Sequence, residues 1–403
     1  MESTKQVGIW AHARLITGVG VAWLFDAMDV GMLSFVIAAV KGEWHLNAVQ
    51  MGWIGSIGSI GMAIGAVLFG MLADRVGRKT VLIITLLIFS IGSAASALAT
   101  GYAMFMTLRL LIGAGLGGEL PVASTLVSES VATEHRGRSV VLLESFWAAG
   151  WLAAALISYF VIPNWGWRVA MVLTGLTAVY AFYFRRGIKE SPVYLAAGHR
   201  KPRFWATLVQ LWRPPYLRAT AMLWIVWFMV VFSYYGMFLW LPSVMQLKGF
   251  SMISSFGYVL VMTIAQLPGY FTAAWLIEKW GRKRVLATFL LGTAAAALGF
   301  GMATSLAWLL VMGMLLSFFN LGAWGALYAY SPEQYPGSVR SSGSGLAAGV
   351  GRIGGIVGPL LVGSLIASGV SFASIFAIFT AAIVIAVLAV MVLGRETMGQ
   401  QLN

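Results

Sequence analysis

Cysteine is absent, histidine occurs only four times, and charged residues make up 10% of the 403-residue chain. The first absence excludes disulfides and thiolate chemistry, and says nothing of compartment. His12, His45, His135 and His199 fall in loops or near the terminus without metal-ligand spacing, so no metal site is expected. There is no Walker-type loop, so ATP is not expected to drive the protein directly, and enzyme motifs and cofactor sites are missing. The scarcity of charge excludes most. A soluble domain averages roughly 25% charged residues, and this chain has too few to cover a water-facing surface.

What fills the sequence instead is apolar: 60% of residues are hydrophobic. Twelve apolar runs are discernible, near 15–38, 50–72, 80–98, 102–129, 139–162, 167–185, 216–241, 251–277, 285–302, 306–330, 339–366 and 372–394. Each approaches the roughly 20 residues with which a helix crosses the hydrocarbon layer. The 47 glycines suit helices that must approach closely. Short alternating segments, the mark of a β-barrel, do not occur. An all-α polytopic membrane protein with twelve transmembrane helices is expected.

The net charge of +13 is set by topology rather than by a polyanion partner, so no nucleic acid is expected. Of 26 Lys and Arg, only Lys41, Arg168 and Lys248 fall in loops opposite the N-terminus. Arg109 and Arg352 lie within runs, which leaves 21 on the N-terminal side. The positive-inside rule then puts both termini in the cytoplasm of a cell-membrane protein. Lys5 and Arg14 precede a span-length run, so the start reads as a first span rather than a cleaved signal.

A proline-rich polar stretch, Arg185 to Arg218, separates two groups of six runs. The division is into residues 1–190, a cytoplasmic loop 191–215, and residues 216–403. "DRVGRKTVL" from Asp74 returns as "EKWGRKRVL" from Glu278, 204 residues later, and Glu129/Glu333 and Arg136/Arg340 share that offset. Loops that repeat at one offset indicate a duplication, the parallel-repeat plan of secondary transporters. Gly77 and Gly281 allow tight turns. Arg78, Lys79 and Arg282 can bond helix C-termini and facing carboxylates at a cytoplasmic gate.

The charges inside the runs do not repeat. At the same offset Asp26, Asp29, Arg109, Glu119 and Glu144 meet Val230, Ser233, Gly313, Ala323 and Ala348, and Arg352 meets Ala148. Each ionised group at mid-bilayer costs roughly 2.5–3.5 kcal/mol, so these must face a wet cavity or one another. Asp26 and Asp29 share a helical face. By depth Asp29 and Arg109 can meet as a pair, which works as a proton switch, as a static packing element, or as a direct substrate contact. Arg352, in "AAGVGRIGGIVGP", suits a carboxylate clamp, or a second ion pair with Glu119. Glu144 lies near the cytoplasmic end of its run and is expected to pair with loop arginines. Trp147/Trp151 and Trp324/Tyr328 are i,i+4 pairs, and with Tyr234 and Tyr235 they make an aromatic-lined site near Arg352.

"GMLADRVGRKT", "RLLIGAGLGGELPVASTLVSE", "HRGR", "KESPVYL", "YSPEQYPGSVR" and "RETMG" together resemble the major facilitator superfamily, in its sugar-porter and organic-ion-transporter branch. The resemblance implies two six-helix bundles, a central site and alternating access. In sugar transporters of this branch an Asp of the first helix and an Arg of the fourth couple protons; the matching positions are Asp29 or Asp26, and Arg109. "DAMD" also resembles the "DGxD" of aromatic-acid/proton symporters. Organic anion transporters carry a basic residue where Arg352 stands. "FDAMDVGMLSF" and "GAGLGGELPVASTLVSES" are most similar to bacterial niacin transporters, relatives of synaptic-vesicle glycoprotein-2-type proteins. The expectation is a monomeric, proton-coupled importer of a small aromatic carboxylate, nicotinate first. Its alternatives are a transporter or exporter of another organic ion, including organic cations, and a transport-inactive membrane receptor.

Overall fold

The computed structural model describes the backbone of residues 9–76, 78–130, 136–185, 204–336 and 339–398, with most side chains of 9–19, 70–80, 118–140 and 176–207 outside the described set. It consists of helices α1 (Ile9–Glu43), α2 (Ala48–Val76), α3 (Arg78–Ser96), α4 (Tyr102–Ser130) and α5 (Arg136–Arg185) in the first half. After α6 (Phe204–Leu211) come α7 (Leu217–Phe238), α8 (Leu241–Leu247), α9 (Met252–Ile264), α10 (Gln266–Leu276), α11 (Arg282–Gly301), α12 (Leu306–Glu333), α13 (Arg340–Ala367) and α14 (Phe372–Leu393). Among the described residues no strand occurs.

Among the described residues nine segments are long and apolar enough to cross a bilayer, and Ile83–Ser96 and Tyr102–Gly117 add two shorter ones. One of the nine, Val141–Gly175, is interrupted by the non-helical Gly166 (φ 82°), where the fifth and sixth sequence runs meet. All twelve runs therefore lie on helices. The eighth is divided at Ala265 into α9 and α10. The central stretch expected to be loop contains α6, because "FWATLVQL" is apolar enough to fold onto its neighbours.

Within the first half α1 packs on α5, α2 on α4, and α3 on both α4 and α5; within the second, α7 packs on α13 and α14, and α11 on α12 and α14. The halves meet where α2 lies along α13 and where α5 touches α9, α10 and α12. Side chains such as Ile91, Leu98, Phe160, Leu388 and Val392 point outward although apolar. Such a surface suits hydrocarbon rather than water.

At the end of the bundle opposite the termini, α2 and α13 nearly touch. A Cβ on Gly52 would stand 2.8 Å from the Pro359 carbonyl oxygen, and one on Gly363 would run into that of Ala48. Ser56 Oγ donates to the Ile356 carbonyl at 2.7 Å across the same seam. Gly52→Val is expected to pry this seam apart. Overpacking costs about 1–3 kcal/mol, which shifts the population toward a state open at this end by roughly tenfold. The check is thiol labelling of a cysteine introduced at Leu33, which would be the protein's only thiol; unchanged labelling from that side would refute it.

At the other end, the second repeat loop is tied down. Gly281 has φ 90°, a backbone that favours glycine. Arg282 Nε bonds Glu333 Oε2 at 3.0 Å, the Arg282 backbone N–H donates to Glu396 Oε1 at 2.9 Å, and Lys283 Nζ donates to the Met391 and Gly394 carbonyls. Arg340 Nε donates to the Tyr335 carbonyl at 3.3 Å. Glu278 is exposed and outside these bonds. The carboxylate that binds the start of α11 is Glu396, because the chain end folds back over it. Gly77 of the first-half gate lies outside the described residues, and so do the side chains of Asp74, Arg78, Lys79, Glu129 and Arg136 and that of Glu119.

Candidate functional site

Helices α1 and α4 bring Asp29 and Arg109 together at 3.0 Å, Nη1 to Oδ2, with side chains 3% and 2% exposed. Ser93 Oγ of α3 donates to Asp29 Oδ1 at 3.0 Å. The Arg109 guanidinium lies 5.3 Å from the Phe105 ring centroid. The serine spacing, Ser93 and Ser96, puts two hydroxyls on one face of α3 toward the pair; Arg109 Nη2 reaches Ser96 Oγ at 3.5 Å. Removing one member of such a buried pair costs about 3–5 kcal/mol, since the other charge is left behind. Asp26, one turn earlier, is also buried, at 4% exposure.

Beside the pair runs a narrow cavity of about 20 Å³, walled by Asp29, Arg109, Ser59, Met62, Tyr235 and Leu239. Its far wall leads to Arg352. There Arg352 Nη1 contacts Met62 Sδ at 3.2 Å and the Tyr235 hydroxyl at 3.5 Å. Among the described residues no carboxylate reaches Arg352 within ion-pair distance. A guanidinium held by a thioether and a phenol keeps most of its donors for another acceptor.

The aromatic residues form one assembly across the two halves. Trp147 Nε1 donates to the Tyr234 hydroxyl at 2.8 Å, joining α5 to α7. Trp147 stacks on Trp324 at 6.2 Å with planes 19° apart, and Tyr234 lies 4.8 Å from Trp324 and 5.3 Å from Tyr235. Trp151 meets Tyr234 edge-on at 6.1 Å. Tyr328 stands 5.9 Å from Trp324. Two tryptophans absent from the sequence-based set complete it. Trp23 of α1 sits 5.8 Å from Trp147, and Trp227 of α7 sits 4.8 Å from Tyr328. Their signal was present: Trp227 lies seven residues before Tyr234 on one helical stripe, and Trp23 one turn before Asp26.

Glu144 departs from expectation. It does not pair with loop arginines but is buried, 3% exposed, within the aromatic assembly. The physical reason is register: Glu144, Trp147 and Trp151 are spaced i, i+3, i+7, so the stripe that aims the tryptophans inward aims the carboxylate inward too.

Twelve spans, a duplicated six-helix plan, a buried Asp–Arg pair in one half and a cationic aromatic site between the halves are together a transporter architecture. The family model described as Major Facilitator Superfamily matches residues 19–266 and 256–401. The chain belongs to the Major Facilitator Superfamily. It is 63% identical over 393 residues, 98% of both chains, to the Bacillus subtilis (strain 168) protein named "Putative niacin/nicotinamide transporter NiaP". It is 45% identical over 420 residues, 97% of this chain and 96% of the other, to the "Niacin transporter NiaP" of Acinetobacter baylyi. Among solved structures, the partially occluded inward-open xylose transporter XylE from E. coli matches with TM-score 0.79 over 96% of this chain and 99% of that one. At 17% identity that likeness shows the fold alone. As a superfamily member this chain is a multi-pass membrane transporter, and its function is solute transport rather than enzyme catalysis.

Proposed function

We propose that this transporter imports a small aromatic carboxylate, nicotinate first, together with a proton. One observation carries the reading: Arg352, a guanidinium without a carboxylate partner among the described residues, touches Met62 and Tyr235, which wall the cavity beside the Asp29–Arg109 pair. The carboxylate of the solute bonds Arg352 as a fork, and its flat ring lies among Trp147, Trp324, Tyr234 and Tyr328. The names of the two niacin-transporter relatives support this solute class.

Coupling runs through the narrow cavity. At about 20 Å³ it has room for about one water, enough to relay a proton and too little for a ring-bearing solute. When Arg109 moves off Asp29 the carboxylate loses its counter-charge and takes a proton; when Arg109 returns the proton is released. One proton with one monoanion moves no net charge, so uptake follows the pH gradient and responds little to voltage. The transporter sits in the cell membrane as a monomer with both termini cytoplasmic, in line with the positive-inside distribution. The closed seam of α2 and α13 then faces outward. Uptake of labelled nicotinate into proteoliposomes under an inward proton gradient tests the reading. Accumulation that collapses with the gradient supports it; no flux by a folded protein refutes it.

A further inference from the structure

One buried carboxylate takes no part in the coupling just described. Glu144 sits on α5 one turn before Trp147, with Trp23 of α1 and Trp324 of α12 turned toward it and Arg352 as the cation of its surroundings. The Tyr270 phenol of α10 and the Tyr328 phenol of α12 also feel its charge. Yet Glu144 Oε2, Trp23 Nε1, Trp324 Nε1 and Tyr270 Oη each lack a hydrogen-bond partner, although all are buried. Buried polar atoms are nearly always paired, so four unpaired ones converging on one place need an explanation. Internal packing supplies it only in part: the Trp23 and Trp324 N–H groups approach Glu144 without completing hydrogen bonds, and Glu144 and Arg352 make no ion pair within 4.0 Å among the described residues.

We propose that Glu144 is the specificity-determining group that binds the ring nitrogen of a heteroaromatic acid. The inference rests on the nicotinate reading above and adds which atom of the ring is read. A monoanion that docks on Arg352 neutralises the counter-charge that the described residues offer Glu144. A bare carboxylate buried there without a counter-charge is then strongly disfavoured. A pyridine nitrogen resolves the conflict, because it presents an in-plane lone pair on the ring edge away from the solute carboxylate. Glu144 brings the proton and keeps it through the cycle, sharing it with that nitrogen as O–H···N or O···H–N, so no bond forms or breaks beyond that sharing and the one-proton coupling through Asp29 is unchanged. The Trp23 and Trp324 N–H groups donate to the other Glu144 lone pairs as the site closes on the ring. Benzoate carries a C–H where nicotinate carries nitrogen and leaves Glu144 unpaired, the situation in which a polar site rejects an analogue most strongly.

Equilibrium binding of labelled nicotinate and labelled benzoate to the full chain in nanodiscs tests this, with wild type beside Glu144→Ala and the near-isosteric Glu144→Gln. Wild type is expected to prefer nicotinate by about tenfold or more. Glu144→Ala should erase the preference by weakening nicotinate while benzoate hardly changes. Glu144→Gln, whose amide still donates to a ring nitrogen, should keep part of it. Equal loss of both acids in both variants, or an unchanged ratio, overturns the inference, and so does a wild type that binds both acids alike. A folded wild type without saturable nicotinate binding overturns the nicotinate reading itself.

Discussion

Replacing Arg352 with alanine is expected to raise the apparent KM for nicotinate by roughly a hundredfold, or to abolish uptake, at matched expression. Truncating one partner of a desolvated, hydrogen-bonded charge pair costs about 2–5 kcal/mol, and roughly 2.8 kcal/mol already corresponds to a hundredfold. Arg352 has little else to lose, because its contacts to Met62 and Tyr235 are long or weak. The fold should therefore survive the change, as a normal melting temperature would verify. Arg352→Lys keeps the charge and loses the planar fork, so it should fall between the two. Saturation curves of initial uptake rates check the prediction. A KM unchanged in Arg352→Ala would place the solute carboxylate elsewhere and remove the central support for an organic-anion substrate.

The second large effect concerns Asp29. In Asp29→Asn the side chain can no longer take up or release a proton, although its amide still accepts from Ser93 and Arg109. Accumulation of nicotinate against its gradient should vanish, while exchange of labelled for unlabelled nicotinate at equal concentrations continues. The variant will also be less stable, since Arg109 keeps its charge without a counter-ion; about 3–5 kcal/mol is the expected scale for a buried pair. Asp29→Glu retains the titration, and partial return of accumulation would separate coupling from packing. Unchanged accumulation in Asp29→Asn would instead leave the pair as a fixed structural element.

These two experiments address one wall of a narrow cavity and the guanidinium behind its Met62 and Tyr235 wall, a juxtaposition hard to see in a linear chain. Asp29 and Arg109 are 80 residues apart and Met62 and Arg352 are 290 apart. Depth counting in helices of known rise brings the first pair within reach, because both helices must span the same layer. It says nothing about which helix faces which. Met62 and Ser93 carry no charge and no family signature, so their places beside the ionic groups emerge only from packing.

The sequence by itself determined the class, the number of spans, the duplication and the kinds of side chain held in the membrane. Each follows from a local rule: hydrocarbon thickness sets run length, and the cost of buried charge singles out Asp26, Asp29, Arg109 and Arg352. Only the tertiary structure decided that Glu144 turns into the aromatic assembly and not toward loop arginines. It also decided that Trp23 and Trp227 join the assembly, and that Glu396 binds the start of α11. The reason is rotational. A helix crossing a membrane has its ends fixed by solvation, but its facing and its partners are fixed by side-chain packing against other helices, a non-local property.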